Sequence, residues 1–195
     1  MLGEMLQNVR ENRPLVHCIT NYVTANDCAN LLLACGGSAI MADEMEEAEE
    51  VTSLCGGLVL NLGTPNPRKV EAMLRAGREA NRMGRPVVFD PVGVGCSAFR
   101  REASSRILEQ VQLSVIRGNA SEIAALTGAS PAEVIFTSGA TEANNLAIKG
   151  IAQASRHIGK HIISTPLEHS SVSGSLTALQ ERGWEIDLLS IGRDG

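Results

Sequence analysis

The sequence is poor in several features that mark particular classes of protein. Aromatic residues make up only 3% of its 195 residues, with one Trp, one Tyr and three Phe. Basic residues do not exceed acidic ones, because 17 Lys and Arg against 22 Asp and Glu give a formal net charge of -5. A protein that binds nucleic acid normally carries a clustered basic surface. We therefore expect no nucleic-acid partner.

Long apolar runs and paired cysteine motifs are also missing. No run approaches the roughly 20 apolar residues that a membrane-spanning helix needs, and the N-terminal MLGEMLQNVRENRP contains no apolar signal core. We therefore expect a cytoplasmic protein without a membrane partner. None of the five cysteines belongs to a C-x-x-C pair, which favours buried reduced thiols over a disulfide or a zinc site. The cysteines are Cys18, Cys28, Cys35, Cys55 and Cys96.

Short apolar segments recur at fairly even spacing and predict β-strands. They are nearly continuous rather than alternating, which is typical of strands buried on both faces. The predicted strands are 14–20, 37–42, 57–63, 86–93, 113–119, 133–139, 161–166 and 185–191.

Helical patterns lie between these strands. The clearest is 67–84, and its predicted apolar face consists of Val70, Met73, Leu74, Gly77 and Ala80. Alternating strands and helices predict an α/β fold, a three-layer αβα sandwich around one mostly parallel sheet of about eight strands. We expect a single domain over 1–195.

Polar residues follow many of these strands, where ligands gather in open α/β sheets. They are Asn61, Asp90, Arg117, Asn119, Ser138, Thr141 and His169. Two helix starts, GNASE (118–122) and SGATE (138–142), carry Asn or Ser and Gly ahead of a Glu. This pattern caps a first helical turn, and the same turn can bind a small anion or phosphate. Both interpretations stay open.

The first two thirds of the chain resemble a known enzyme family. The segments PLVHCITNYVTANDCANLLLACGGSAIMA, LNLGT, VFDPVGVG and IRGNASEIAALTG are similar to the first part of hydroxyethylthiazole kinase, a thiamin-salvage family of the ribokinase-like superfamily. The resemblance implies phosphorylation of a thiazole alcohol with ATP and magnesium. It also implies a trimer with sites between subunits.

The resemblance assigns roles to individual residues. Asn21, Val23 and Met41 would contact the thiazole, and Arg117 with Asn119 would meet the nucleotide phosphates. Asp90 and Glu122 would organise magnesium. These residue types suit the chemistry, because a hard cation takes oxygen ligands and a guanidinium pairs with phosphate oxygens. A turn cap at Asp90 and a core position for Met41 are the structural alternatives.

The remaining segment resembles a different family. After Gly128 the sequence lacks the Gly-Thr-Gly-Cys turn that, in the kinase family, forms the anion hole and supplies the catalytic residue. SPAEVIFTSGATEANNLAIKG and HIISTPLEHSSVSGSLTALQERGWEIDLLSIGRDG are similar to a NifS-type cysteine desulfurase, a fold-type I pyridoxal-phosphate enzyme. The resemblance implies that Ala140 and Thr141 bind cofactor phosphate and that His169 stacks on the pyridine ring. The S-x-H-K segment with the Schiff-base lysine is absent, and no cysteine follows Cys96.

Two truncated signatures lead to a specific interpretation. We interpret residues 1–128 and 129–195 as fragments of an engineered fold chimera that lacks a complete active site, catalyses no turnover and uses no functional cofactor. One alternative is a hydroxyethylthiazole kinase-like transferase that binds thiazole or phosphate. Another is pyridoxal-phosphate binding without catalysis, and a natural fusion also stays open. Unmatched helix faces at the junction predict exposed apolar surface, which self-association would bury.

Overall fold

The computed structural model describes residues 2–190. The chain divides into two compact units, Met1–Val134 and Ile135–Gly195, and each contains its own parallel sheet. The prediction of one sheet of about eight strands is therefore wrong: the main sheet has five strands, and a second sheet has two. The expectation of a single domain over 1–195 stays a prediction.

The first unit alternates strands and helices through residue 127. Its strands are β1 (Leu15–Ile19), β2 (Ser38–Ile40), β3 (Gly57–Asn61), β4 (Val87–Asp90) and β5 (Val115–Ile116). Its helices are α1 (Leu2–Asn12), α2 (Ala25–Cys35), α3 (Ala48–Ser53), α4 (Pro67–Arg82), α5 (Ala98–Gln110) and α6 (Ala120–Thr127), with short 3-10 turns at Val94–Cys96 and Pro131–Glu133.

All neighbouring strands of the main sheet are parallel, in the order β2-β1-β3-β4-β5. The central strands β3 and β4 supply the core residues Leu58, Leu60, Val87 and Phe89, each at most 1% exposed. Because every strand runs the same way, the segments that follow all five strands lie along one edge of the sheet.

Helix α4 covers this core with the face that the sequence predicts. Val70, Met73, Leu74, Gly77 and Ala80 are all buried. The side chain of Asn66 accepts a hydrogen bond from the backbone N of Lys69 at 2.9 Å, and Pro67 occupies the first helical position. Both features are typical of a helix start, and they set the point where α4 leaves the edge of the sheet.

The described part of the second unit, residues 135–190, contains two helices and two strands. These are α7 (Ala140–Ser155), β6 (His161–Ser164), α8 (Ser170–Gln180) and β7 (Glu185–Leu188). Strands β6 and β7 pair in parallel. Residues along both strands are exposed or half-buried, so the expectation of strands buried on both faces is wrong here. The predicted end of the last strand at Ile191 lies outside the described residues.

The predicted strand at 133–139 does not form. Ser130 and Glu133 make a capping box around a 3-10 turn that begins at Pro131, and residues 134–139 pair with no strand among residues 2–190. Ile135 and Phe136 are 67% and 69% exposed. An apolar run becomes a strand only where a neighbouring strand offers its backbone groups, and this segment has none. The other seven predicted strands are confirmed.

Candidate functional site

A network of polar side chains connects the carboxyl ends of β1, β3 and β4. Asn61 ends β3 and Asp90 ends β4, and the two residues are partners in the strand register. The Asn61 Nδ2 donates to Asp90 Oδ2 at 2.9 Å, and the Asn61 Oδ1 accepts from Asn21 Nδ2 at 3.1 Å. One amide therefore connects the predicted thiazole residue Asn21 with the predicted magnesium residue Asp90.

Asp90 is a nearly buried carboxylate with a cationic partner. Its side chain is 8% exposed, whereas that of Arg117, just after β5, is 75% exposed. The Arg117 Nη1 donates to Asp90 Oδ2 and forms an ion pair with it. A buried carboxylate needs such compensation, and an exposed guanidinium still presents further donors to a phosphate group.

Asn119 and Glu122 form the start of α6. The Asn119 Oδ1 accepts from the backbone N of Glu122 at 2.9 Å, and Glu122 Oε2 accepts from the backbone N of Asn119 at 2.9 Å. The other carboxylate oxygen, Oε1, accepts from the backbone N of Gly93 at 3.0 Å. Glu122 thus attaches the loop after β4 to the start of α6. Its role as a magnesium ligand stays a prediction.

The donor set fits a magnesium ion that is bound mainly through nucleotide phosphates. Both side-chain hydrogen bonds to Asp90 are to Oδ2, which leaves Oδ1 as the oxygen for a hard cation. Within residues 2–190, no group of three or more His, Cys, Asp or Glu side chains could hold a metal ion. Magnesium typically uses one or two carboxylates together with water and substrate phosphates, so the single carboxylate of Asp90 fits such an ion, and its role as a magnesium ligand stays a prediction.

The predicted thiazole residues lie after β1 and β2. The Asn21 Oδ1 accepts from the backbone N and the hydroxyl of Thr24, at 3.0 and 3.1 Å, and so shapes the turn before α2. Val23 is 83% exposed and Met41 is 38% exposed. Both apolar side chains are therefore accessible to a small molecule.

His17 holds the segment that carries Met41. Its ring is buried in β1, where Nε2 lies 2.8 Å from the carbonyl oxygen of Ala42 and Nδ1 lies 2.8 Å from the hydroxyl of Thr52. A carbonyl can only accept, so Nε2 carries a proton. Burial lowers the pKa of His17, although the hydrogen bond to Ala42 and the charge of Glu47 oppose this shift. The neutral imidazole therefore connects β1, the loop after β2 and helix α3.

A cluster of Lys69, Tyr22 and Asp43 lies beside these residues, and the sequence analysis missed it. Lys69 is 1% exposed, and its ammonium group donates to the carbonyl of Thr20. The same group lies 3.3 Å from Asp43 Oδ2 and 3.9 Å from the centroid of the Tyr22 ring. The hydroxyl of Tyr22 donates to Asp43 Oδ2 at 2.6 Å, and this hydrogen bond raises the pKa of Tyr22.

One signal in the sequence indicates this cluster. Lys69 is the third residue of α4, where the positive end of the helix dipole disfavours a cation. A cation at this position needs a compensating anion, and Asp43 supplies it. The sequence alone does not identify that anion, since it lies in the loop after β2.

Ala140, Thr141 and His169 lie in the second unit. Ala140 and Thr141 begin α7, while His169 precedes α8 and its Nδ1 accepts from the backbone N of Ser171 at 3.1 Å. The hydroxyl of Ser171 lies 2.9 Å from that Nδ1 and accepts from Asn144 of α7 at 2.9 Å. The imidazole thus serves as a helix cap, and stacking of His169 on a pyridine ring stays a prediction.

Comparison with known proteins gives a consistent result. The sequence model of the hydroxyethylthiazole kinase family matches residues 6–180. Hydroxyethylthiazole kinase of Clostridium acetobutylicum is 58% identical over 126 residues, which are 65% of this chain and 46% of that protein. The enzyme of Desulfovibrio desulfuricans is 56% identical over 128 residues, which are 66% and 45% of the two chains. The chain thus spans about half the length of the curated relatives it matches.

Two solved structures are also similar to parts of this chain. The structure of hydroxyethylthiazole kinase from Pyrococcus horikoshii OT3 has a TM-score of 0.62 and 40% identity, covering 78% of this chain and 56% of that one. The crystal structure of DndA from Streptomyces lividans has 30% identity, covers 64% of this chain and 30% of that one, and reaches a TM-score of only 0.35. A likeness at that TM-score supports no conclusion about 129–195.

The interpretation of the chain as an engineered chimera without an active site is wrong. One family model matches residues 6–180, a range that crosses the proposed junction at 128. That interpretation rested on truncated signatures of two families, whereas one family model extends over both segments. In residues 2–190, no helix is both long and apolar enough to cross a membrane.

Proposed function

Because the chain belongs to the hydroxyethylthiazole kinase family, we propose that it is a phosphotransferase acting on the hydroxyl group of a thiazole alcohol. ATP is the proposed phosphate donor, and the reaction would serve thiamin salvage. This function is the kinase-like alternative that the sequence left open, and it takes the place of the engineered chimera without turnover.

The hydrogen bonds of Asn61 are the observation that carries this proposal. They connect Asn21, on the proposed thiazole side, to Asp90, on the proposed phosphate side. A phosphoryl transfer needs its alcohol and its phosphate aligned at a fixed separation, because most of the acceleration comes from positioning and charge stabilisation. A rigid amide between the two sides supports this geometry.

Each side chain of the network has a proposed task. Arg117 would bind phosphate oxygens, Asp90 would hold magnesium, and Glu122 fixes the loop between them. Magnesium, when bound, neutralises charge on the transferred phosphoryl group. Asn21, Val23 and Met41 position the thiazole. Asn119 orients the start of α6 toward the nucleotide phosphates.

The proposal also covers the oligomeric state of the protein and its cellular location. The chain would act as a trimer with sites between subunits in the cytoplasm, as the family resemblance implies. Binding of pyridoxal phosphate at Ala140, Thr141 and His169 stays a separate prediction, and no contact described within 135–190 favours it over helix capping.

A radiolabel assay tests the function. The purified chain is incubated with γ-labelled ATP, magnesium and 5-(2-hydroxyethyl)-4-methylthiazole, and the phosphorylated thiazole is separated and counted. Asp90→Asn should lower the rate about a hundredfold or more, because it removes the charge that binds the cation. Asp27→Asn is the control, since Asp27 is an exposed carboxylate in α2 outside the network. Absence of labelled product from the wild-type chain would refute the proposal.

A further inference from the structure

Tyr22 is exposed, and yet two contacts hold its side chain in place and a third holds its backbone. The residue is 64% exposed, between Asn21 and Val23. Its hydroxyl donates to Asp43 at 2.6 Å, and its backbone N donates to the hydroxyl of Thr64 at 3.2 Å. The ammonium group of Lys69 lies 3.9 Å from the ring centroid. Exposed side chains usually move freely, so this degree of fixation calls for a physical reason.

The two faces of the ring have different environments. Lys69 is 1% exposed, so the face that it contacts is the inner one. The exposed surface of Tyr22 therefore belongs to the outer face and the ring edge. Tyr22 lies in the chain between Asn21, whose side chain shapes the turn before α2, and Val23, which is 83% exposed. An open aromatic face thus belongs to the segment whose flanking residues are assigned to the thiazole.

The contact with Lys69 changes the electrostatics of the open face. A cation on one side attracts the π electrons of the ring, which favours an electron-rich, flat partner on the other side. Because Asp43 and Lys69 already restrict the ring, little conformational entropy remains to be lost when a ligand stacks on it.

We propose that the outer face of Tyr22 is a stacking platform for the heteroaromatic ring of the alcohol substrate, with Lys69 and Asp43 positioning it from beneath. This inference rests on the proposed function, because it concerns the same substrate. It makes Tyr22 a specificity residue that distinguishes flat aromatic alcohols from saturated alcohols of similar size.

The composition provides a direct readout, since Tyr22 is the only tyrosine in the chain. Protein labelled with 13C-tyrosine gives ring resonances that belong to Tyr22 alone. Titration with 5-(2-hydroxyethyl)-4-methylthiazole should move these resonances through the ring current of the stacked thiazole. A saturated analogue, 2-(pyrrolidin-1-yl)ethanol, serves as the control and should leave them nearly unchanged.

Affinity measurements on two variants separate the ring from its hydroxyl. Tyr22→Phe keeps the aromatic face and should bind the thiazole alcohol within about threefold of wild type. Tyr22→Leu removes it and should weaken binding about two- to twelvefold. The affinity for ATP with magnesium should be the same in all three proteins, because the nucleotide residues lie elsewhere along the edge.

The outcomes distinguish this inference from the proposed function. Thiazole binding that shifts no tyrosine resonance and that Tyr22→Leu leaves unchanged would overturn the platform while keeping the kinase function. An equal loss of thiazole and ATP affinity in Tyr22→Leu would indicate general disruption and would also overturn the platform. No thiazole binding by the wild-type protein would overturn the proposed function and the platform together.

Discussion

Lys69 and Asp43 form an ion pair whose two partners differ greatly in exposure. Their charged atoms are 3.3 Å apart, and the Lys69 side chain is 1% exposed while that of Asp43 is 34% exposed. The buried ammonium group depends on this carboxylate, on the Thr20 carbonyl and on the Tyr22 ring for compensation. A charge taken out of water without such partners would be strongly unfavourable.

We expect the two partners to respond differently to substitution. Asp43→Asn removes the anion and leaves the buried cation, which should cost about 1–3 kcal/mol of unfolding free energy. Lys69→Met replaces the cation by an apolar chain of similar volume and should cost less. Urea unfolding followed by circular dichroism gives both values. If Asp43→Asn costs as much in the Lys69→Met background as in wild type, the pair is not coupled.

A negative charge at position 61 should lower the stability of the fold. Asn61→Asp places a second carboxylate 2.9 Å from Asp90 and removes the amide donor. The expected cost is about 1–3 kcal/mol at neutral pH, and it should shrink as acidification protonates one of the two groups. Thermal melts at several pH values measure this. Asn30→Asp, on an exposed position of α2, is the control and should change stability by less than about 0.5 kcal/mol.

His17 should make the fold sensitive to mild acid. Its pKa in the folded state lies below the ordinary value of 6.5. Between the folded-state pKa and pH 6.5, the unfolded chain binds a proton at His17 more readily than the folded chain does. The free energy of unfolding is therefore highest above pH 6.5 and declines as the pH falls. The decline ends below the folded-state pKa of His17. The carboxylates with lowered pKa are Glu44, Glu79, Glu133 and Glu142, and they act in a separate window below pH 4.5.

Unfolding free energies measured between pH 4.5 and 7.5 test this expectation. His17→Gln should flatten the decline, whatever its effect on absolute stability. His157→Gln replaces an exposed histidine and should keep the wild-type slope. An unchanged slope in His17→Gln would assign the decline to other groups.

Two helical glycines should respond in opposite directions to alanine. A Cβ at Gly77 in α4 would lie 2.5 Å from Val111 Cγ2, whereas a Cβ at Gly150 in α7 would meet nothing within 4 Å. Gly77→Ala should therefore cost about 1–3 kcal/mol through overpacking. Gly150→Ala should stabilise by about 0.5–1 kcal/mol, because alanine favours the helix.

The contact with Val111 can be isolated with a double variant. Gly77→Ala should cost less stability in the Val111→Ala background than in the wild type, because the shortened side chain at position 111 makes room for the new methyl group. Urea unfolding of the four proteins provides the coupling energy. Strictly additive effects would show that Val111 is not the obstacle.

Local patterns predicted much of the first unit. The apolar face of α4 and the polar residues Asn61 and Asp90 at strand ends follow from short-range signals in the sequence. The same kind of signal failed at 133–139. Residues 133–139 have the apolar side chains of a strand, but no strand among residues 2–190 pairs with them. The capped turn at Pro131 forms instead.

The sequence by itself indicated where most helices and strands lie, because capping, proline and the period of apolar residues act within a few positions. Only the tertiary structure decided that the strands divide into sheets of five and two, and that β1, β3 and β4 are neighbours. That order places Asn61 between Asn21 and Asp90 and brings Lys69 to Tyr22 and Asp43. These are contacts between residues far apart in the chain, and their energy exists only once the sheet has formed.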